Sequence, residues 1–397
     1  MKTVDDRWLA VRIGFVPASL ACADDDHPGL VRAGPRAAAP YARESVEQHV
    51  CTATDLCDDD SAAPDLFEFG FDTVDLSSFE DLQRVLTRVR AAGSITDEDA
   101  TTIRATLGGA VLRCGDGRNL TVLHIADEGL IMRKAGPDGL AAVGPQSEGM
   151  NEHGGATSIH ADQDVFGTPL TQLMEGRAPS LFRHDSPDGH NHDAGLMLLN
   201  MWIPLQQITQ PLVLADGRSV DRRRHQLRYG LATDTFLDRD EDAVINDIWT
   251  FLHDPEQRWY LHSDMDHRSA YVFNTLCTPH GACTLPGEDL AARRYRALED
   301  AESAVARGDV RALVESLEPV RHLDVPAGVP TTLRTAIEAM ADVSRDALHD
   351  PDHTCGDGAG AWLVRAAEAR RPLVRMSIEL RLVVSIDDAR HRQVDGP

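Results

Sequence analysis

Positive charge is what this 397-residue chain has least of. Only Lys2 and Lys134 are lysines among 39 basic residues, against 64 Asp and Glu, giving a formal charge of −25. Nucleic acid and anionic membranes bind clustered positive charge, so this balance disfavours both as partners. A local arginine pocket for a small ligand remains compatible with it. The arginine bias among the basic residues reads as codon usage. The seven cysteines form no Cys-x-x-Cys pair and are odd in number. That disfavours a disulfide framework or a cysteine zinc site and leaves a reducing, cytoplasmic setting as the expectation. No run is long and apolar enough to span a bilayer. "FVPASLAC" has the outline of a cleavage site, but Asp5, Asp6, Arg7 and Arg12 interrupt any apolar core. Repeats, a phosphate-binding Gly loop and a serine-nucleophile elbow are all missing as well.

What is present is 42% hydrophobic and 26% charged, an ordinary soluble globular composition with enough length for a large core or two domains. A monomer or homodimer is expected. Residues 1–65 read as an acidic, loop-rich N-terminal arm, with "ADDDHPG" and "CDDDSAAPD" as solvated acidic surface. Residues 66–118 read as a helical part packed on the core. Ser78-x-x-Asp81 opens one helix, Gly93 ends it, and Thr96-x-x-Asp99 opens a second. From 119 to 286 short apolar runs alternate with turns. "NLTVLHIA" and "GLIMRKA" flank Asp127-Glu128 like a hairpin, and "LMLLNMWIPL", "PLVLAD", "RWYLHS", "SAYVFNTL" and "GACTL" follow as strands. The period turns helical over 287–370, then "RMSIELRLVVSI" returns to strand within 371–390. The expected fold class is therefore α+β: a mainly β core with N-terminal helices and a large helical insertion before the last core strand.

Three His-x-Asp triplets occur: His160-Ala161-Asp162, His262-Ser263-Asp264 and His322-Leu323-Asp324. Side chains at i and i+2 of a strand project from the same side, so such a pair can reach one metal. Two His and one carboxylate on one face, with open positions opposite, is the ligand set of non-haem Fe(II) oxygenases. In jelly-roll versions the second His arrives from a strand several hairpins later. His262 has only His267 and His280 close downstream, and His322 lies in the helical stretch with His349 and His353. His280 stands 118 positions after Asp162, with at least four strand candidates between them. Only the first triplet fits, giving His160, Asp162 and His280 as metal ligands. Arg375-x-Ser377 opens the final strand, and in many such enzymes Arg-x-Ser grips the far carboxylate of 2-oxoglutarate through a bidentate, permanently charged clamp.

The blocks "LNMWIPL", "QPLVLADGRSVD", "DPEQRWYLHSDMDHRSAYVFNT", "TPHGACTLPGED" and "RMSIELR" resemble, in order, those of one oxygenase family. It holds the cephamycin-methoxylation hydroxylase component and fungal oxygenases of secondary metabolism. The match covers roughly 156–286 and 371–386, less than half the chain. It implies a double-stranded β-helix (a jelly roll), Fe(II) and O2 chemistry with 2-oxoglutarate as cosubstrate, and His160, Asp162 and His280 as the facial triad. Three departures stand out. Ile203 occupies a position where relatives carry Arg, which implies a changed substrate or cosubstrate contact. His262-Ser263 replaces Phe-Pro before Asp264. Finally, 95 positions separate His280 from Arg375, where relatives have a short link. Arg293, Arg294 or Arg296 lie at the shorter spacing as rival anchors; Arg375 is favoured because it sits in the matching block.

Other candidates are Asn200, as a hydrogen-bond partner of 2-oxoglutarate or a structural amide, and Trp202, Arg218 and His267 as substrate-pocket residues or plain core and surface. Arg183, His184, His190 and His192 crowd one loop, read as a polar lid or surface. Helical additions over the barrel mouth would shape an enclosed pocket for a small natural-product intermediate, oxidised by hydroxylation, desaturation or cyclisation. The alternatives are an iron enzyme of the same fold that does without 2-oxoglutarate, and a non-catalytic metal-binding protein. A zinc hydrolase would need a general base beside the metal water, and none is identifiable.

Overall fold

The computed structural model describes residues 8–23, 31–33, 46–57, 64–115, 117–126, 130–140, 149–151, 154–156, 158–162, 196–232, 245–263 and 265–387. Eight strands form its centre, numbered β1 (Ile131–Ala135), β2 (His160–Ala161), β3 (Leu196–Gln206), β4 (Leu212–Ala215), β5 (Trp259–Leu261), β6 (Ser269–Asn274), β7 (His280–Thr284) and β8 (Arg375–Asp387). One sheet contains the order β1-β8-β3-β6 and the other the order β2-β7-β4-β5, all antiparallel. The chain thus passes repeatedly between two facing sheets, a mixed α+β, barrel-like arrangement consistent with a jelly roll.

Period-2 alternation decides what each strand shows to each side. On β3, Leu199, Met201, Ile203 and Leu205 join Met376, Ile378, Leu380 and Leu382 of β8 in one apolar cluster. The helices Glu80–Ala92 and Asp97–Leu107 cover it with Leu82, Val85, Leu86, Val89, Ile103 and Leu107. The second helix starts in the expected capping box, Thr96 with Asp99. The first is capped by Phe79 without a side-chain bond, so the expected role of Ser78 is not realised. The opposite side of the same strands faces the barrel interior, where Trp202, Tyr271 and Phe273 meet Leu212 and Leu214 of the other sheet.

Several elements differ from the sequence reading. Residues 8–15 and 47–55, expected as loop, are strands paired antiparallel along their length. One also pairs with β7 (Ile13 opposite Cys283) and the other runs parallel to β5 (Trp259 opposite Ala53), so the sheet closes on itself. Their alternation in "WLAVRIGF" is masked by the acidic runs around it. The strand Asn119–Ile125 and β1 do not pair as a hairpin; both lie along one edge of the thirteen-residue β8. Strands Phe71–Asp75, Gln226–Ala232 and Ile245–Phe251 were not foreseen. The segment between β7 and β8 contains the helices Glu288–Ala306, Val310–Leu317, Thr331–His349 and Ala359–Arg370. Its apolar residues share one cluster with Ala161, Val213 and Cys283. Those alternate with the ligand-bearing positions, so the insertion backs that sheet and does not roof the side where the ligands point.

Ile203 is fully buried in the cluster under the N-terminal helices. It faces away from the barrel interior and cannot be a changed substrate contact. Ile203→Arg is expected to destabilise the chain by several kcal/mol, because it buries a charge without a partner. Thermal unfolding checks this; an unchanged midpoint would contradict the assigned facing of β3.

Candidate metal centre

β2 and β7 are neighbours, and His160 pairs directly with His280. Asp162 follows two residues after His160, so all three side chains leave the same side of the sheet. His160 Nε2 lies 3.3 Å from Asp162 Oδ1, and His280 Nε2 lies 3.8 Å from Asp162 Oδ2. One ligand atom from each residue falls within 4.8 Å of the others, so the trio can hold one metal ion.

Each imidazole is oriented by its own backbone. His160 Nδ1 lies 2.8 Å from the Ser158 carbonyl and His280 Nδ1 lies 2.9 Å from the Thr278 carbonyl. A donor on Nδ1 leaves the Nε2 lone pair for a metal. Burial, with His160 beside it, pushes His280 down to about 4, so the ring is neutral near neutral pH. Burial alone would raise the Asp162 carboxyl, but the hydrogen bond from His160 and the charges around it, Arg381 among them, hold it well below the usual range. His280 as a neutral ring and Asp162 as a carboxylate are in the protonation states that ligation requires of them.

The facing sheet supplies the outer contacts. Asn200 Nδ2 donates to Asp162 Oδ2, and Asn200 Oδ1 accepts from Thr275 Oγ1 at 3.0 Å. The Thr275 hydroxyl thereby sets which end of the amide meets the carboxylate. Asn200, expected as a cosubstrate contact or structural amide, is engaged with the carboxylate ligand. Two positions along β3, Trp202 is fully buried in the interior cluster. The Arg375 guanidinium sits 5.4 Å from its ring centre. Trp202 pairs with Glu379 in register, so Arg375 leans along β8 towards the ligand cluster.

Arg375 is 2% exposed, and its hydrogen-bond partner among the described residues is Ser377, whose Oγ accepts from Nη2 at 3.2 Å. Its Nε and Nη1 are buried with no hydrogen-bond partner among the described residues. Burial brings it down to about 10, which still leaves it charged. Each unsatisfied buried donor costs roughly 1–3 kcal/mol, so this corner of the barrel fits an anion.

Not every expected residue joins this centre. Arg218 is spent on Asp216 (2.9 Å) and Glu68 (3.2 Å) and stacks over Phe69. His267 lies 3.4 Å from Thr87 Oγ1 on the helix that covers the far side of β3 and β6. Arg294 donates to the Ile337 and Leu323 carbonyls inside the helical insertion. Arg293 pairs with Asp289 on that helix, and Arg296 is exposed there. Among the four arginines considered, Arg375 is the one the structure buries against the interior residue Trp202. The histidine-rich stretch 181–195 and Asp264 lie outside the described residues. A cavity of about 1110 Å³ between Trp8, Asp55 and Val329 contains none of the expected site residues.

Sequence reasoning missed Arg133 and gave Glu379 and Arg381 no role at the metal. Glu379 accepts from Arg133 Nε at 2.7 Å, and Arg381 Nη2 stands 3.9 Å from Asp162 Oδ2. The alternation Arg375-Met-Ser377-Ile-Glu379-Leu-Arg381 carried a signal: every second residue is polar on an otherwise apolar strand. Arg133 carried none, because its partner is 246 positions away.

No family model matches the chain, and no curated protein does. Among solved structures it is similar to an iron and alpha-ketoglutarate-dependent endoperoxidase, NvfI, at 13% identity and a TM-score of 0.44, over 96% of this chain and 98% of that one. A tryptophan-to-phenylalanine variant of NvfI gives 14% identity and a TM-score of 0.45, over 96% and 97% of the two chains.

Replacing Asn200 with Leu removes the amide that orients Asp162 while keeping the side-chain size. Metal affinity is expected to fall roughly 10–100-fold, measured by anaerobic titration with Fe(II) or by Mn(II) binding. His280→Ala should lose more. Wild-type affinity in both variants would contradict the assigned centre.

Proposed function

We propose that this chain is an Fe(II)- and 2-oxoglutarate-dependent oxygenase, built on a double-stranded β-helix, that oxidises a small molecule. The observation that carries the reading is the buried, incompletely paired Arg375 inside the same barrel as a two-histidine, one-carboxylate cluster. His160, Asp162 and His280 would hold Fe(II), a metal suited to that set. Bound there with 2-oxoglutarate and O2, iron supplies oxidation of an unactivated C–H bond coupled to loss of CO2 and formation of succinate.

The residues of this chain do the positioning. Nδ1 contacts with backbone carbonyls aim both histidine Nε2 atoms, and Thr275 and Asn200 fix the carboxylate. Arg375 and Ser377 take the far carboxylate of 2-oxoglutarate, with Trp202 supporting the guanidinium from its face. Phe273, whose ring centre is 4.4 Å from that of His280, and the apolar side chains around Trp202 keep water from the interior. Arg381 and the Arg133–Glu379 pair are partly exposed at 17%, 19% and 20%. They border the ligand cluster, where a small substrate with polar groups would meet them. The outcome, whether hydroxylation, desaturation or cyclisation, follows from which substrate hydrogen is presented. An iron enzyme that takes every electron from its substrate would have no use for an anion at Arg375, and the unpaired donors favour the 2-oxoglutarate reading over it.

Arg375→Ala separates the two. The variant is expected to need roughly 30-fold or more additional 2-oxoglutarate for half-maximal succinate formation, the scale of a lost buried charge contact. Iron affinity should stay unchanged. Equal 2-oxoglutarate dependence in the variant and the wild type would overturn the cosubstrate role.

A further inference from the structure

We infer that Gly155, pinned in place by Arg133, sets the depth of the carboxylate pocket beside Arg375 and so the length of 2-oxo diacid the site accepts. This rests on the reading of Arg375 as the cosubstrate anchor.

Residues 154–156 cross from one sheet to the other. At the β1 side, Arg133 Nη1 donates to the Gly154 carbonyl at 3.1 Å, while its Nε holds Glu379. At the β7 side, the Ala282 amide donates to the Ala156 carbonyl at 2.8 Å. Between these two pins Gly155 passes close to Arg375. A Cβ on Gly155 would lie 3.6 Å from Arg375 Nη1, 3.9 Å from Gln210 Oε1 and 3.2 Å from Ala135 Cβ. Nη1 is one of the two unpartnered donors of Arg375, so the space a side chain would fill is the space a carboxylate oxygen needs to reach it.

The two ends of the diacid are fixed independently. The metal ligands hold the 2-oxo acid end, and Arg375 with Ser377 holds the other, so the distance between them selects chain length. Glycine at 155 leaves this gap open and the backbone behind it stops a longer chain. Arg133 keeps that backbone from retreating. It also occupies Glu379, which shares the inner face of β8 with Arg375.

The test uses the full chain loaded with Mn(II) and measures dissociation constants for oxaloacetate, 2-oxoglutarate and 2-oxoadipate, together with Mn(II) affinity. Wild type is expected to bind 2-oxoglutarate best. In Gly155→Ala, 2-oxoglutarate should weaken at least about tenfold, the scale of one misplaced carbon. Oxaloacetate should change little and Mn(II) affinity not at all, so the preference moves towards the shorter acid. Arg133→Met, which frees Gly154 and also releases Glu379, should lower the preference for 2-oxoglutarate over 2-oxoadipate; release of Glu379 alone would weaken all three acids alike and leave that ratio unchanged. Equal weakening of all three acids in Gly155→Ala, or no weakening of 2-oxoglutarate, overturns the role of Gly155. An unchanged ratio in Arg133→Met overturns that of Arg133. Failure of the wild-type protein to bind any of the three overturns the cosubstrate reading itself, and this inference with it.

Discussion

A guanidinium buried against an indole with two donors unpaired is unfavourable unless something anionic joins it. Arg375 is in that position, and the interior around it makes sense once a carboxylate is placed there. Ser377, its hydrogen-bond partner, is a small neutral acceptor that neither cancels the charge nor fills the space. Glu379, the nearest acid on the same face of β8, is taken by Arg133. The positive charge of Arg375 is thus kept available in a region where charge is costly to keep.

The metal ligands and the anion pocket are joined by the pleat of two adjacent strands. β3 points Asn200 and Trp202 inward, and β8 points Arg375, Ser377, Glu379 and Arg381 inward. Asn200 reaches Asp162 across the barrel, and Trp202 supports Arg375. One continuous wall therefore carries both the amide that orients Asp162 and the buried guanidinium, the two ends that the proposed reading gives to a short dicarboxylate. The opposite face of these strands is apolar and locked under the N-terminal helices. A one-residue slip of either strand would exchange the two faces.

Much of this was legible from the sequence. Apolar runs bounded by turn residues marked the core strands, and 3.6-residue periodicity marked the insertion, because both patterns are local. The choice of His160, Asp162 and His280 came from spacing, and the structure brings those three together. What escaped depended on distant partners or on facing. Ile203 was weighed as a contact because its neighbours in sequence are site residues, yet alternation turns it away from them. Asn200 reads from the sequence as a cosubstrate contact or a structural amide, and spacing could not name its partner, because Asp162 lies on the other sheet. The strands at 8–15 and 47–55 were hidden by acidic surroundings, and strand pairing, a long-range property, is what makes them strands. The insertion was expected over the mouth, since sequence gives its length and helicity but not the face it shares.

The most direct test is an anaerobic titration of the protein with Fe(II) and then 2-oxoglutarate, followed by visible absorption. Chelation of the iron by the 2-oxo acid is predicted to give a weak charge-transfer band that saturates at one equivalent of metal. That band should be absent in Asp162→Ala. No band in the wild-type protein at saturating Fe(II) and 2-oxoglutarate would contradict the account.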